Sequence, residues 1–184
     1  MVSRDEAYKL LCEQVSGENL INHMLAAEAV MRRLARHFGE DEDTWGLVGL
    51  LHDIDYDLTK DDPTRHGILG SEILAEKGYP AEIVRAVKAH NEYHLSPREQ
   101  RIDQALLATD PTTGLIVAGA LIKKERSLQA IDVPFLLKRM KEKSFARGAN
   151  RDQIRTCTEL GLSLEEFLGL SLEAMQGIAD KLGL

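Results

Sequence analysis

Apolar residues recur along this chain at intervals of three and four, and no stretch shows the two-residue alternation of a half-buried strand, so the pattern predicts an all-α protein. Ser3 and Glu6 have capping-box spacing ahead of a helix over about residues 5–15, stopped by Ser16-Gly17. A second helix, about 19–38, sets Leu20, Ala27, Val30, Leu34 and Phe38 on one side and is closed by Gly39. A third, about 43–54, has no solvated face through LVGLL and should be buried. The polar loop YDLTKDDPTR follows, then a helix from His66 to near Gly78 and another opened by Pro80. After the break Leu95-Ser96-Pro97, a helix from about Pro97 carries Ile102, Leu106 and Leu107 towards Asp110, where Pro111 predicts a kink or interruption. Residues 115–122 are apolar again. The tail reads as helices over about 133–143, 150–160 with Asn150 as N-cap, and 163–182 with a Ser163/Glu166 capping box.

Composition narrows the class. The 184 residues, 43% hydrophobic and 29% charged, suit one well-buried soluble domain spanning 1–184. Apolar runs are broken well short of membrane-spanning length and MVSRDEAYKL lacks the features of a signal peptide, so the expectation is a cytoplasmic protein without membrane attachment. Cys12 and Cys157 stand far apart without CxxC spacing, which argues against a disulfide framework or thiolate zinc site; both read as core thiols. The net charge of −7 argues against general nucleic-acid binding. Within it, residues 123–155 hold ten basic against four acidic side chains, a block of +6 in a chain whose remainder is −13.

The buried third helix runs into His52-Asp53 and two further carboxylates, Asp55 and Asp57. An imidazole beside a carboxylate is costly to bury unless something satisfies both, and a metal ion is the simplest candidate. A core histidine satisfied by a neighbouring aspartate is the alternative. Reading outward, His23 falls on the apolar side of its helix, His66 shares a face with Leu69, Gly70 and Ile73, His90 continues the stripe of Ile83, Ala86 and Val87, and Asp110 lies past Leu106 and Leu107. Six ionisable groups on five apolar faces form a metal-site signature. Their nitrogen and oxygen donors suit Mn, Fe, Co, Ni or Zn. Six ligands exceed what one catalytic ion needs, which points to two ions with Asp53 able to bridge them.

The order His23, His52-Asp53, Asp110 resembles the HD-domain superfamily of metal-dependent phosphohydrolases, with His66 in HGILG and His90 in AHNEYH resembling the extra ligands of its two-metal members. The motifs cover roughly residues 19–118, and the whole chain resembles small stand-alone bacterial HDIG-type proteins, including its KSFARGANR segment. The resemblance implies a helical bundle with a metal-binding core over about 19–118, helices 133–182 packing on it, and hydrolysis of a phosphoester of a nucleotide or small phosphorylated metabolite. It implies Asp53, His66 and His90 as catalytic residues among one or two divalent metals. An HD-type di-iron oxygenase and a nucleotide sensor with little activity remain alternatives.

One departure concerns the substrate. Many members follow HD with a lysine that meets phosphate; here Asp53 is followed by Ile54-Asp55-Tyr56-Asp57, and Lys60 is the first lysine. Lys143 and Arg147, beside Ser144 and Gly148 ahead of a helix, are the replacements the sequence offers, with Arg65 a second candidate and a plain basic loop the competing reading. Glu92, His94 and Asp55 are candidates to relay a proton or orient a ligand, set against solvated helix-end positions.

Overall fold

The computed structural model describes residues 2–91 and 96–184, and among these there is helix and no strand. The helices are α1 (Arg4–Gln14), α2 (Glu18–Phe38), α3 (Glu42–Leu51), α4 (Tyr56–Thr59), α5 (Ile68–Glu76), α6 (Ala81–Ala89), α7 (Arg101–Leu121), α8 (Val133–Met140), α9 (Arg151–Arg155), α10 (Leu164–Gln176) and α11 (Ala179–Leu182). Short 3₁₀ turns at Leu128–Ala130 and Thr156–Leu160 join them. Capping fixes several boundaries where the sequence placed them: Ser3/Glu6 and Ser163/Glu166 are reciprocal capping boxes, Asn150 caps α9, and Gly39 ends α2 in the left-handed region at φ 70.

The tightest contact lies between α2 and α3. At Gly49 a Cβ would stand 2.6 Å from the Ala27 carbonyl oxygen and 2.8 Å from the Glu28 nitrogen, and at Gly46 one would meet the Arg32 side chain at 2.6 Å. Two bare positions one turn apart let the backbones approach, and this brings the end of α3 under the middle of α2. The buried α3 face, Trp45 to Leu51, packs with Met24, Val30, Met31 and Leu34 of α2 in one core that continues through α7 to Phe167 and Leu168 of α10. None of the described helices is long and apolar enough to cross a membrane.

Several expectations are corrected. The helix around Pro111 is neither interrupted nor left with an irregular point at Asp110: α7 runs through it from Arg101 to Leu121. Proline removes one N–H, which frees one carbonyl a turn back, while its fixed φ suits a helix. The freed carbonyl is that of Leu107; the hydroxyls of Thr112 and Thr113 donate to other carbonyls, those of Ala108 and Asp110, at 2.7 and 2.9 Å. The α3 helix stops at Leu51, so His52 to Asp55 turn out of it. The polar loop contains α4, and the final helix divides at Gly177-Ile178 into α10 and α11. Cys157 is buried as expected, but Cys12 is exposed on α1.

Candidate metal centre

The six predicted residues converge. Ending α3 at Leu51 swings His52 and Asp53 inward, beneath His23 on α2 and beside Asp110 on α7. His23 Nε2 lies 3.1 Å from His52 Nε2, 3.2 Å from Asp110 Oδ1 and 3.7 Å from Asp53 Oδ2. On the other side of Asp53, its Oδ1 is 3.1 Å from His66 Nε2 and 3.3 Å from His90 Nε2, and those two nitrogens are 3.0 Å apart. Two groups able to hold a metal ion result, His23/His52/Asp53 and Asp53/His66/His90, with Asp53 common to both.

The other nitrogen of each ring explains why these four point inward. His52 Nδ1–H donates to the Gly49 carbonyl at 2.8 Å and His90 Nδ1–H to the Val87 carbonyl at 2.6 Å. A carbonyl can only accept, so the proton of a neutral ring sits on Nδ1 and the Nε2 lone pair faces the cluster. His66 Nδ1–H donates to Asp55 Oδ1 at 2.9 Å. His23 Nδ1–H meets Thr113 Oγ1 at 2.9 Å, a hydroxyl whose own proton goes to the Asp110 carbonyl. Every imidazole is thus fixed by an outer acceptor with Nε2 directed at a carboxylate, the arrangement by which proteins orient metal-binding histidines.

Electrostatics agree with this geometry. Burial disfavours charge on His52, yet Asp53 and Asp110 prevail and raise it to about 9. His66 is likewise opposed by burial but raised to about 10 through Asp53 and Asp55. Burial would push the carboxyls of Asp53 and Asp110 up; the imidazoles around each outweigh it and hold both well below the usual carboxylate range. Without a divalent ion, protons supply the positive charge that the carboxylates demand.

The three aspartates of the motif separate by role. Asp53 faces all four histidine nitrogens. Asp55 is fully buried rather than a solvated helix-end residue: besides His66, it accepts from the N–H groups of Gly67 and Gly70, both at 2.8 Å. Asp57 is part-exposed, and its side chain accepts from the Ser16 backbone and hydroxyl. Gly67, at φ 83, makes the sharp entry to α5, and an added Cβ at Gly70 would press on the Asp55 carboxyl at 3.2 Å. Asn91 joins the end of α6 to this loop by donating to the carbonyls of Pro63 and His66.

Sequence reasoning missed Thr113, Asn91 and the two crossing glycines. Thr113 follows Asp110 by three, so a helix drawn straight through Pro111 would have put both on one face. The three basic candidates for phosphate binding are all exposed. Arg65 is exposed and turned to Glu72 at 3.4 Å, while Lys143 and Arg147 are exposed on the turn between α8 and α9, where Arg151 binds the local carbonyls. None of the three lines the cavity of about 420 Å³ beside His23. Glu92 and His94 lie outside the described residues.

An all-helical core here brings four histidines and two aspartates together around a shared carboxylate, in two groups that could hold a metal ion. The chain belongs to the HD-domain family, whose model matches residues 20–132. Among curated proteins, Ribonuclease Y of Fusobacterium nucleatum is 27% identical over 168 residues, 89% of this chain and 32% of that protein. Ribonuclease Y of Desulfotalea psychrophila is 27% identical over 172 residues, covering 90% and 32%. Ribonuclease Y 1 of Pediococcus pentosaceus is 32% identical over 76 residues, covering 41% and 15%. The chain spans about a third of the length of the first two. No solved structure matches it.

Proposed function

We propose that this chain is a metal-dependent phosphohydrolase acting on a phosphoester of a nucleotide or small phosphorylated metabolite. The observation that carries the reading is the pinning of all four histidines by their Nδ1 atoms, so that four Nε2 atoms meet at Asp53. His23, His52, Asp53 and Asp110 would hold one ion, and His66, His90 and Asp53 would hold a second. Bound there, divalent ions supply Lewis acidity towards water and a phosphoryl oxygen. The chain's own work is orientation. Gly49, Val87, Asp55 and Thr113 fix the rings, and the buried carboxylates keep the site anionic so that it prefers a dication to a proton. Asp53, placed between the two halves and in reach of both, is the group best situated to guide the attacking water's proton.

The relatives named as ribonucleases favour RNA as a second substrate class, because two of them match about nine-tenths of this chain. A panel of phosphomonoesters, nucleotides and RNA with added Mn, Co or Ni separates the classes. Metal-dependent turnover of any phosphoester supports the hydrolase; an iron-loaded protein that consumes oxygen and turns over none of them overturns it.

Two outcomes follow from the geometry. Asp55→Asn keeps the shape but gives His66 Nδ1–H a neutral acceptor, and it turns an amide towards N–H groups that need an acceptor. Metal affinity of the His66/His90 half should fall by roughly 10- to 100-fold, the usual range for an outer partner, as measured by competitive titration. The second concerns pH. Because the folded metal-free protein holds His52 and His66 at about 9 and about 10, a metal entering at pH 7 displaces protons, and affinity rises until those pKa values are passed. The same raised values stabilise the metal-free fold fully below about pH 6.5, and that contribution is lost as pH climbs through 9 to 10. Calorimetry in two buffers of different ionisation enthalpy should therefore show net proton release; proton-neutral binding at pH 7 would contradict this.

A further inference from the structure

The cavity beside His23 lies between α2 and α7. Asn19, Asn22 and His23 of α2 form one wall and Thr113, Gly114, Val117 and Leu121 of α7 the other, with residues 182–184 alongside. On α7 the positions 114, 117 and 121 continue the helical stripe that begins at Asp110, and the groove they line together with Thr113 runs along about 12 Å of helix. His23 belongs to both places. Its ring lines the groove while its Nε2 meets Asp110 at 3.2 Å.

Among the described residues that line the groove, none but His23 has an ionisable side chain. Asn19 and Asn22 offer carboxamides that no protein hydrogen bond engages among the described residues, and Val117, Leu121 and Leu184 offer apolar surface, with Leu121 42% exposed. Arg4 and Lys181 line a neighbouring hollow that shares Asn22, and there Arg4 is held by Glu28 at 2.8 Å. A stacked nucleic-acid strand advances about 3.4 Å per nucleotide, so a groove of this length would set about three or four phosphates against described lining residues that offer no lysine or arginine. An uncharged organic group meets free amides and apolar carbon instead, within the size range of small-molecule sites.

Resting on the phosphohydrolase reading, we propose that this groove is the specificity subsite: it takes the uncharged organic part of a monophosphate ester whose phosphoryl group lies at the metal centre, and it discriminates against polyanions, RNA included. The prediction runs against the substrate for which the relatives are named.

The test uses Mn-loaded full-length protein and its Val117→Trp and Val117→Lys variants, with phenyl phosphate, a nucleoside monophosphate, the corresponding triphosphate and a ten-nucleotide RNA. Val117 is part-exposed on the groove and holds none of the metal-type residues, so metal content should not change. The wild type should favour the nucleoside monophosphate over the RNA by about 100-fold in kcat/KM. Val117→Trp should raise KM for the nucleoside monophosphate by about tenfold while sparing phenyl phosphate, and Val117→Lys should shift preference towards the triphosphate and RNA by about tenfold. RNA turned over as well as the monophosphate, or a tryptophan that affects every ester equally, overturns the proposal. Calorimetric binding of the nucleoside monophosphate gives a readout that needs no turnover. Binding weakened by Val117→Trp in a protein that hydrolyses nothing removes the hydrolase reading and keeps the subsite; unchanged binding removes the subsite whatever the turnover.

Discussion

Asp53→Ala should abolish metal-dependent hydrolysis while leaving the helical fold in place. Its two carboxylate oxygens stand within 3.1 to 3.7 Å of all four inward-facing histidine nitrogens, and among the described residues no other side chain is shared by both metal-type groups. Loss of an outer partner costs roughly 10- to 100-fold in affinity or activity, and loss of the shared inner group should exceed that range in kcat/KM. Bound metal should fall in parallel, with circular dichroism unchanged. A variant that retains the wild-type metal content and more than about a tenth of its activity would show that Asp53 does not join the two halves.

Gly49→Ala should have the largest effect on stability of any single methyl group. In an exposed helix the substitution is favourable by up to about 1 kcal/mol. Here the new Cβ would sit 2.6 Å from the Ala27 carbonyl oxygen and 2.7 Å from its carbon, both backbone atoms that cannot rotate away. Separating α2 from α3 to relieve the clash should leave a net loss of about 2 kcal/mol. For a chain of this size that is a fall in Tm of roughly 4 to 8 °C by differential scanning calorimetry. The same shift moves the Gly49 carbonyl that fixes His52 and the helix that carries His23, so metal affinity should fall with it. A raised Tm would mean that the crossing is looser than the geometry describes.

Much of this architecture is legible in the sequence because its signals are local. Ser3, Gly39, Asn150 and Ser163 mark helix ends by capping chemistry that acts over three or four residues, and the structure uses each of them in that way. The six-residue cluster is legible for a different reason. Ionisable groups on otherwise apolar faces are rare, and burial in one core leaves them only one another to face. What escaped depends on neighbours distant in sequence. Pro111 reads as a break on its own, but α7 runs through it within the packed core from Ala105 to Ile116, which puts Asp110 and Thr113 on the face towards His23. Asp55 reads as one more acid in a polar stretch until α5 folds back and gives it two N–H groups and a histidine. The basic block illustrates the opposite limit: its charge is plain in the sequence, yet charge alone does not say which way Lys143 and Arg147 face.

The most direct test of the account is metal content. Elemental mass spectrometry on protein purified without chelator, then reloaded with Mn or Fe, should find at least one and up to about two divalent ions per chain, the second lost first on titration with a chelator. Less than about a tenth of an equivalent after reloading would contradict the account, because the inward-facing nitrogens around Asp53 would then be held by protons alone.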